Sequence, residues 1–425
     1  MNLKKLGIVC SLLSTTILGS SIDHVQNYTP EYNANPAQQG AINKSATVYF
    51  NPAGIMRLGE GTYFTGGLQI AFGKETMKYD KKTGDKSSNT YDADLLAPIP
   101  NFAIYKIQED KAYFFTFGPQ AGGGKLEYKD GVSGVKVLED TGYKGMSVKA
   151  GVNSATGENV YAQATLGTAW NVNSKLSLST AGKVVYGYRK LSADLKATLN
   201  DSIPLATSID SERTAWGIGG QFGLNYALNE TWNIGVRYDT PIKMTFKTKA
   251  TNNKDVHLNL GFDAFFPQYA DGASYRRDLP GILAVGASQK ISEKFTIFYG
   301  GNYYFNESAN IDRDVPDHSY EYKNGWEISL GTEYWINDKI AILSGINYAQ
   351  TGAKSESYSD VEFALNSILV GGGIKYLPSE DVEIILAISH YFYDSNSNDK
   401  YGSLANPLVY EKNISSIGVS FSKKL

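Results

Sequence analysis

A chain of 425 residues with 43 Gly, 30 Tyr and a formal charge of −3 lacks the basic stripe that nucleic acid demands, which sets that partner aside. Hydrophobic residues make up 42 %, yet beyond the N-terminus no apolar run is long enough for a transmembrane helix, and one Cys excludes a disulfide framework. The length suits two or three soluble domains or a single large all-β barrel.

In chain order, residues 1–21 read as a secretory signal peptide. Lys4 and Lys5 form its basic end, Leu6 to Leu18 its apolar run, and Gly19-Ser20-Ser21 its small-residue cleavage site. Its removal takes the charge from −3 to −5 and discards Cys10, so neither a cofactor nor a Cys-ligated metal is expected. An exported, thiol-free, Tyr- and Gly-rich chain without a membrane helix points to the outer membrane of a Gram-negative bacterium, crossed many times. Residues 22–60 are polar and broken by Pro30, Pro36 and Gly40, which suits a loose tail or a plug folded inside a barrel lumen, where irregular backbone is tolerated. Asn51-Pro52-Ala53-Gly54 closes this stretch as a compact turn, read here as the hinge between plug and barrel.

From residue 61 to 425 apolar and polar residues alternate with a period of two. Trp216, Ile218, Phe222, Leu224, Tyr226 and Leu228 share one face, with Gly217, Gly219, Gln221, Gly223 and Asn225 on the other. Trp232 to Phe246 repeats the pattern, with Ile242, Met244 and Phe246 on the face of Trp232 and with Arg237 and Lys243 opposite. Fourteen strands are expected, starting near residues 62, 97, 111, 159, 175, 213, 232, 279, 294, 323, 339, 364, 382 and 412. Short turns such as Asn229-Glu230-Thr231 alternate with long polar loops near 73–96, 121–158, 191–212, 249–278, 307–321, 351–363 and 394–411. An even strand count with loop length segregated to one end defines an all-β, fourteen-stranded antiparallel transmembrane barrel with an N-terminal luminal plug. A soluble sandwich has no reason to sort its loops in this way. Trp170, Tyr188, Tyr226, Trp232, Tyr303, Tyr334, Tyr348 and Tyr376 are candidates for the two interfacial girdles.

The segment Gly40-Ala41-Ile42-Asn43-Lys44-Ser45-Ala46-Thr47-Val48-Tyr49-Phe50-Asn51-Pro52-Ala53-Gly54, with Leu279-Pro280-Gly281 and the strand count, resembles the FadL/TodX family of outer-membrane transporters. That resemblance implies passive uptake of long-chain fatty acids or other hydrophobic small molecules. A ligand is caught between outer loops and moves to a pocket in the barrel. It is then released sideways into outer-membrane lipid, through a gap at a kink in the third strand when the plug moves. Lateral exit is physically sensible, since each methylene gains about 0.8 kcal/mol in hydrocarbon. A monomer is expected, inserted by the outer-membrane assembly machinery, although Leu425 stands where many such barrels carry a terminal aromatic residue.

Several residues follow as candidates. In the third strand Gly118-Pro119 brings a residue with no side chain and one with no N–H, so the strand either bends there or ends. Phe262, Phe265, Phe266 and Tyr269, and Leu195 and Leu199, put apolar side chains on loops expected to face water, as a capture surface or a local packed cap. A carboxylate ligand needs buried cations, and parity nominates Arg189, Lys183, Arg237 and Lys243, each also able to pair with a luminal acid as Arg237 could with Asp239. His24, His257, His318 and His390 have no metal spacing, and neither a nucleophile elbow nor a phosphate loop occurs, so an enzyme is not expected. The alternatives are a general porin for small polar solutes and a surface adhesin that uses the long loops.

Overall fold

The computed structural model describes residues 29–425 apart from 80–89, 143–144, 257–258, 260, 265–266, 316–321, 359–361 and 399–407. The expected signal peptide therefore lies outside the described residues. Fourteen antiparallel strands close into one sheet. They are β1 (Gly61–Tyr79), β2 (Thr90–Gln108), β3 (Lys111–Tyr128), β4 (Val148–Asn171), β5 (Leu176–Leu199) and β6 (Ile203–Ala227). Next come β7 (Trp232–Asp239 and Thr245–Asn253), β8 (Ser274–Arg276 and Ile282–Ser292), β9 (Phe295–Tyr304) and β10 (Gly325–Asn337). The last four are β11 (Ile340–Gln350), β12 (Ser367–Ser379), β13 (Val382–Tyr393 and Asn396–Asn398) and β14 (Leu408–Lys424). Closure is made by β14 pairing with β1 from Tyr63↔Lys424 to Tyr79↔Leu408.

Alternation decides which face meets which solvent. Ile218, Leu96, Leu166 and Ile388 point outward with 78, 73, 68 and 62 % exposure. Thr65, Gln69, Gln163, Thr165, Asn302 and Glu327 point inward and are buried. An apolar exterior around a polar lumen is the arrangement of a barrel in lipid. Tyr334 and Tyr376 lie exposed near the short turns and Tyr303 near the long loops, so aromatic residues mark both margins of the apolar band.

Several expectations need correction here. The loops expected at 73–96 and 121–158 are shorter, because β1 runs to Tyr79, β2 starts at Thr90, β3 runs to Tyr128 and β4 starts at Val148. Residues 191–212 are no loop: β5 and β6 stay paired to Leu199↔Ile203, and only 200–202 turn. Asn200 and Asp201 adopt φ of 46° and 55°, the left-handed backbone that a tight hairpin needs and that Asn and Asp tolerate. Leu195 and Leu199 are thus inward, buried strand residues. Their spacing of four is a multiple of two as well as nearly one helical turn. Lys243 is likewise not luminal. Beyond Arg237 and Asp239, both inward, the strand breaks at Thr240-Pro241 and its parity inverts, so Ile242, Met244 and Phe246 face inward and Lys243 outward. Pro241 has no N–H for the ladder, and the strand resumes one face out of step.

Before the first strand, residues 30–56 are buried almost throughout and contain α1 (Pro30–Ala34), α2 (Thr47–Phe50) and the start of a 3-10 turn (Pro52–Arg57). α1 packs on β1, β11, β12, β13 and β14, and the 3-10 turn on β3, β4, β5 and β6. Inward glycines make room for this chain. An added Cβ would stand 1.9 Å from the Gln39 carbonyl at Gly235, 1.7 Å from Asn35 Oδ1 at Gly331 and 1.8 Å from the Asn33 carbonyl at Gly371.

Candidate functional site

Three features occupy the inner face: a basic clamp on the N-terminal segment, an ion cluster nearer the long loops, and an irregular stretch of wall. In the clamp, Arg237 Nη1 donates to the carbonyls of Tyr49 (2.9 Å) and Phe50 (3.1 Å). Asp239 lies 3.1 Å from Arg237 and 2.9 Å from Lys183, and it accepts from Gln221 at 2.8 Å. Asn51 Nδ2 donates to Asn225 (2.8 Å), and the Ser177 hydroxyl donates to the Ala53 carbonyl (2.7 Å). On the far side Tyr32 donates to Glu327 (3.2 Å) and Ser45 to Glu383 (2.7 Å). Lys183 and Arg237, nominated for a ligand, are thus engaged by Asp239 and by the chain's own backbone.

The ion cluster forms around Arg189. Cα pairing sets Arg189 of β5 directly opposite Arg213 of β6, and Arg277, just after the first piece of β8, joins them. Glu362, from the segment between β11 and β12, bridges two guanidinium groups: Oε2 is 2.5 Å from Arg189 and Oε1 is 2.7 Å from Arg277. Arg277 also pairs with Asp312, and Arg189 donates to the Tyr161 hydroxyl at 3.3 Å. Arg213 is 1 % exposed and lies over the rings of Tyr269 (5.2 Å) and Phe246 (5.5 Å), with Asp312 at 3.8 Å. Among the described residues, Arg213 Nε and Nη2 find no hydrogen-bond acceptor. Burial alone raises the Glu362 carboxyl, but the charges of Arg189 and Arg277, the Arg189 hydrogen bond and the charge of Arg213 outweigh it and hold the group at about 2. Its folded value lies below its ordinary 4.5, so its contribution to stability is complete above that pH and is lost only as pH falls toward 2.

Sequence reasoning found Arg189 but not its companions. Arg213 was within reach, since the β5–β6 hairpin pairs two arginines across strands. Glu362 and Asp312 come from connecting segments whose position no period announces.

Beside the ion cluster lies a small cavity of about 70 Å³, lined by Gly123 and Gly124 of β3, Leu126, Arg189, Glu362, Phe363, Leu365, Tyr393 and Lys412. Leu195 and Leu199 belong to the large apolar cluster that adjoins it, and Phe262 packs on that cluster half-buried. Tyr269 lines the cavity itself. Phe265 and Phe266 lie outside the described residues.

Beside the cavity the wall is irregular. The β2–β3 ladder runs from Gln108↔Lys111 to Phe102↔Phe117 and returns only at Asp94↔Glu127. Nine residues of β3 there face seven of β2, Leu95 to Asn101. Against β4 the two extra residues appear as bulges between Pro119 and Ala121 and between Gly122 and Gly124. Pro119 thus bends the strand without ending it, the outcome left open above. The 3-10 turn that starts at Pro52 and includes Ala53 and Gly54 touches β3, as does α2, and an added Cβ on Gly118 would lie 3.5 Å from Asn101 Cβ. His390, on the outward face, lies 2.8 Å from the Ser415 hydroxyl.

A closed fourteen-stranded barrel with an apolar outer face and a filled polar lumen is the architecture of an outer-membrane protein. Residues 34–406 match the family described as outer membrane protein transport protein (OMPP1/FadL/TodX), and the chain belongs to that family. It is 22 % identical over 381 residues to the long-chain fatty acid transport protein of Salmonella typhi, spanning 83 % of this chain and 82 % of that one. With outer membrane protein P1 of Haemophilus influenzae it shares 21 % identity over 183 residues, 41 % of this chain and only 38 % of that protein's length. A Pseudomonas aeruginosa FadL homologue has the same fold, with a TM-score of 0.74 at 14 % identity over 95 % of this chain and all of that one.

Proposed function

We propose that this protein carries hydrophobic small molecules, long-chain fatty acids foremost, passively across the outer membrane and releases them sideways into lipid. The observation that carries the reading is the conjunction at β3: the paired ladder lapses there, two bulges shift the strand, and the small cavity beside the ion cluster is lined by the second bulge. In lipid an unpaired edge costs several kcal/mol per exposed polar group, so such an interruption persists where it serves a passage. The membership of the family and the name of the Salmonella relative support the choice of cargo.

The N-terminal segment serves as the plug. It is held by the Arg237 clamp, by hydrogen bonds to the wall, and by Tyr32, Val48, Phe50, Ile55 and Met56, which are buried in the large apolar cluster. The turn at Asn51 to Gly54, tied to Asn225 of β6 and Ser177 of β5 and touching β3, acts as the hinge of the plug, and Gly118 and Pro119 form the start of the bend it closes. Phe262 and Tyr269 contribute to the apolar capture surface, and Leu195 and Leu199 to the apolar cluster they pack against. The barrel works as a monomer, and no catalytic step is required.

In planar bilayers the purified barrel is expected to show almost no steady conductance, while proteoliposomes take up oleate. A large ohmic conductance that oleate does not diminish would instead identify a general porin.

A further inference from the structure

Uptake of hydrophobic molecules leaves the polar end of the cargo undefined, and the ion cluster addresses it. We propose that Arg189, Arg213 and Arg277 form a site for the carboxylate of an amphipathic acid, now occupied by the chain's own Glu362 and Phe363, which an incoming acid must displace. This deepens the uptake reading and rests on it.

The segment has the chemistry of the ligand it stands in for. Glu362 presents a carboxylate whose two oxygens each accept from a different guanidinium group, at 2.5 and 2.7 Å, as charge-assisted hydrogen bonds. The next residues, Phe363-Ala364-Leu365, are apolar, and Phe363 and Leu365 are buried in the large apolar cluster. Phe363 sits 4.9 Å from the Tyr410 ring, with Lys412 Nζ 4.6 Å from its own ring centroid. A charged head on arginines followed by a greasy stretch is how a fatty acid would lie.

Two further observations favour a ligand over a purely structural pairing. Arg213 is buried beside the site with Nε and Nη2 lacking an acceptor among the described residues, so donors remain for a second anion. The cavity, at about 70 Å³, is far below the several hundred Å³ of a small-molecule pocket, so an acyl chain enters only where Phe363 leaves. The Glu362 side chain is one-third exposed, which gives it a path out.

An internal competitor lowers apparent affinity by the fraction of time it leaves the site free. In the detergent-solubilised full chain, Glu362→Gln is therefore expected to bind oleate about tenfold more tightly, equivalent to about 1.4 kcal/mol, and oleyl alcohol no differently. Phe363→Trp reports the displacement directly: its emission is expected to shift to the red with oleate but not with oleyl alcohol. Weaker or unchanged oleate binding by Glu362→Gln, or an emission shift that both probes share, overturns the proposal while leaving uptake intact. Failure of the wild-type barrel to bind either probe overturns both.

Discussion

A Gly123→Trp variant is expected to lose oleate uptake by about tenfold or more, the effect of about 1.4 kcal/mol of added barrier, while the barrel remains as stable as before. Gly123 is the extra residue of the second β3 bulge and lines the cavity. An added Cβ there meets nothing within 4 Å, and its backbone is not left-handed, unlike that of Gly122 (φ 123°) and Gly124 (φ 68°). A Cβ can therefore be built there without strain, and the indole beyond it obstructs the space through which cargo is proposed to pass. Gly182 provides the control, because it also meets nothing within 4 Å but sits on an outward, exposed position of β5. Uptake of radiolabelled oleate by proteoliposomes, beside the thermal unfolding of each variant, measures both quantities. If Gly123→Trp transports like Gly182→Trp, the route does not pass this bulge.

Loosening the plug should have an effect of similar size. Arg237→Ala removes the donor to the Tyr49 and Phe50 carbonyls and one of the two cations on Asp239. Breaking one partner of a buried pair costs about 3 kcal/mol or more, here borne by the contact between segment and wall. The variant is expected to admit trypsin at Lys44 or Arg57 and to conduct ions in planar bilayers, with the barrel still folded. Gly235→Ala on the same strand should act in the same direction, since its Cβ would strike the Gln39 carbonyl at 1.9 Å. A silent bilayer and an uncut N-terminal segment in both variants would mean that neither contact holds the lumen shut.

Most of the barrel was legible because a wall one residue thick imposes its period directly on the sequence. Strand number, short turns such as Asn229-Glu230-Thr231 and the apolar outer face all followed from alternation. Alternation failed where the wall departs from regularity. Lys243 was assigned inward because parity was counted straight through Pro241, where the strand changes face. Leu195 and Leu199 were assigned to a loop because polar residues around them hid a hairpin that runs on past the membrane. Nothing in the alternation marks the glycines on the inward face of β7, β10 and β12, yet Gly235, Gly331 and Gly371 are seats for residues 33–39, far away in the chain. The ion cluster was half visible: Arg189 and Arg213 sit on strands, but their acids arrive from connecting segments that carry no period.

The central claim is that cargo leaves through the wall between β2 and β3. A photoreactive benzoylphenylalanine at Leu96, which lies on the β2 side of the interrupted ladder and is 73 % exposed, tests it most directly. The same residue at Ile328, outward on β10 across the barrel and 59 % exposed, samples bulk lipid. With radiolabelled oleate supplied only to the outer side of oriented membranes, early labelling at Leu96 and little at Ile328 is the predicted result. Equal labelling at the two positions from the earliest times would contradict lateral release at this site.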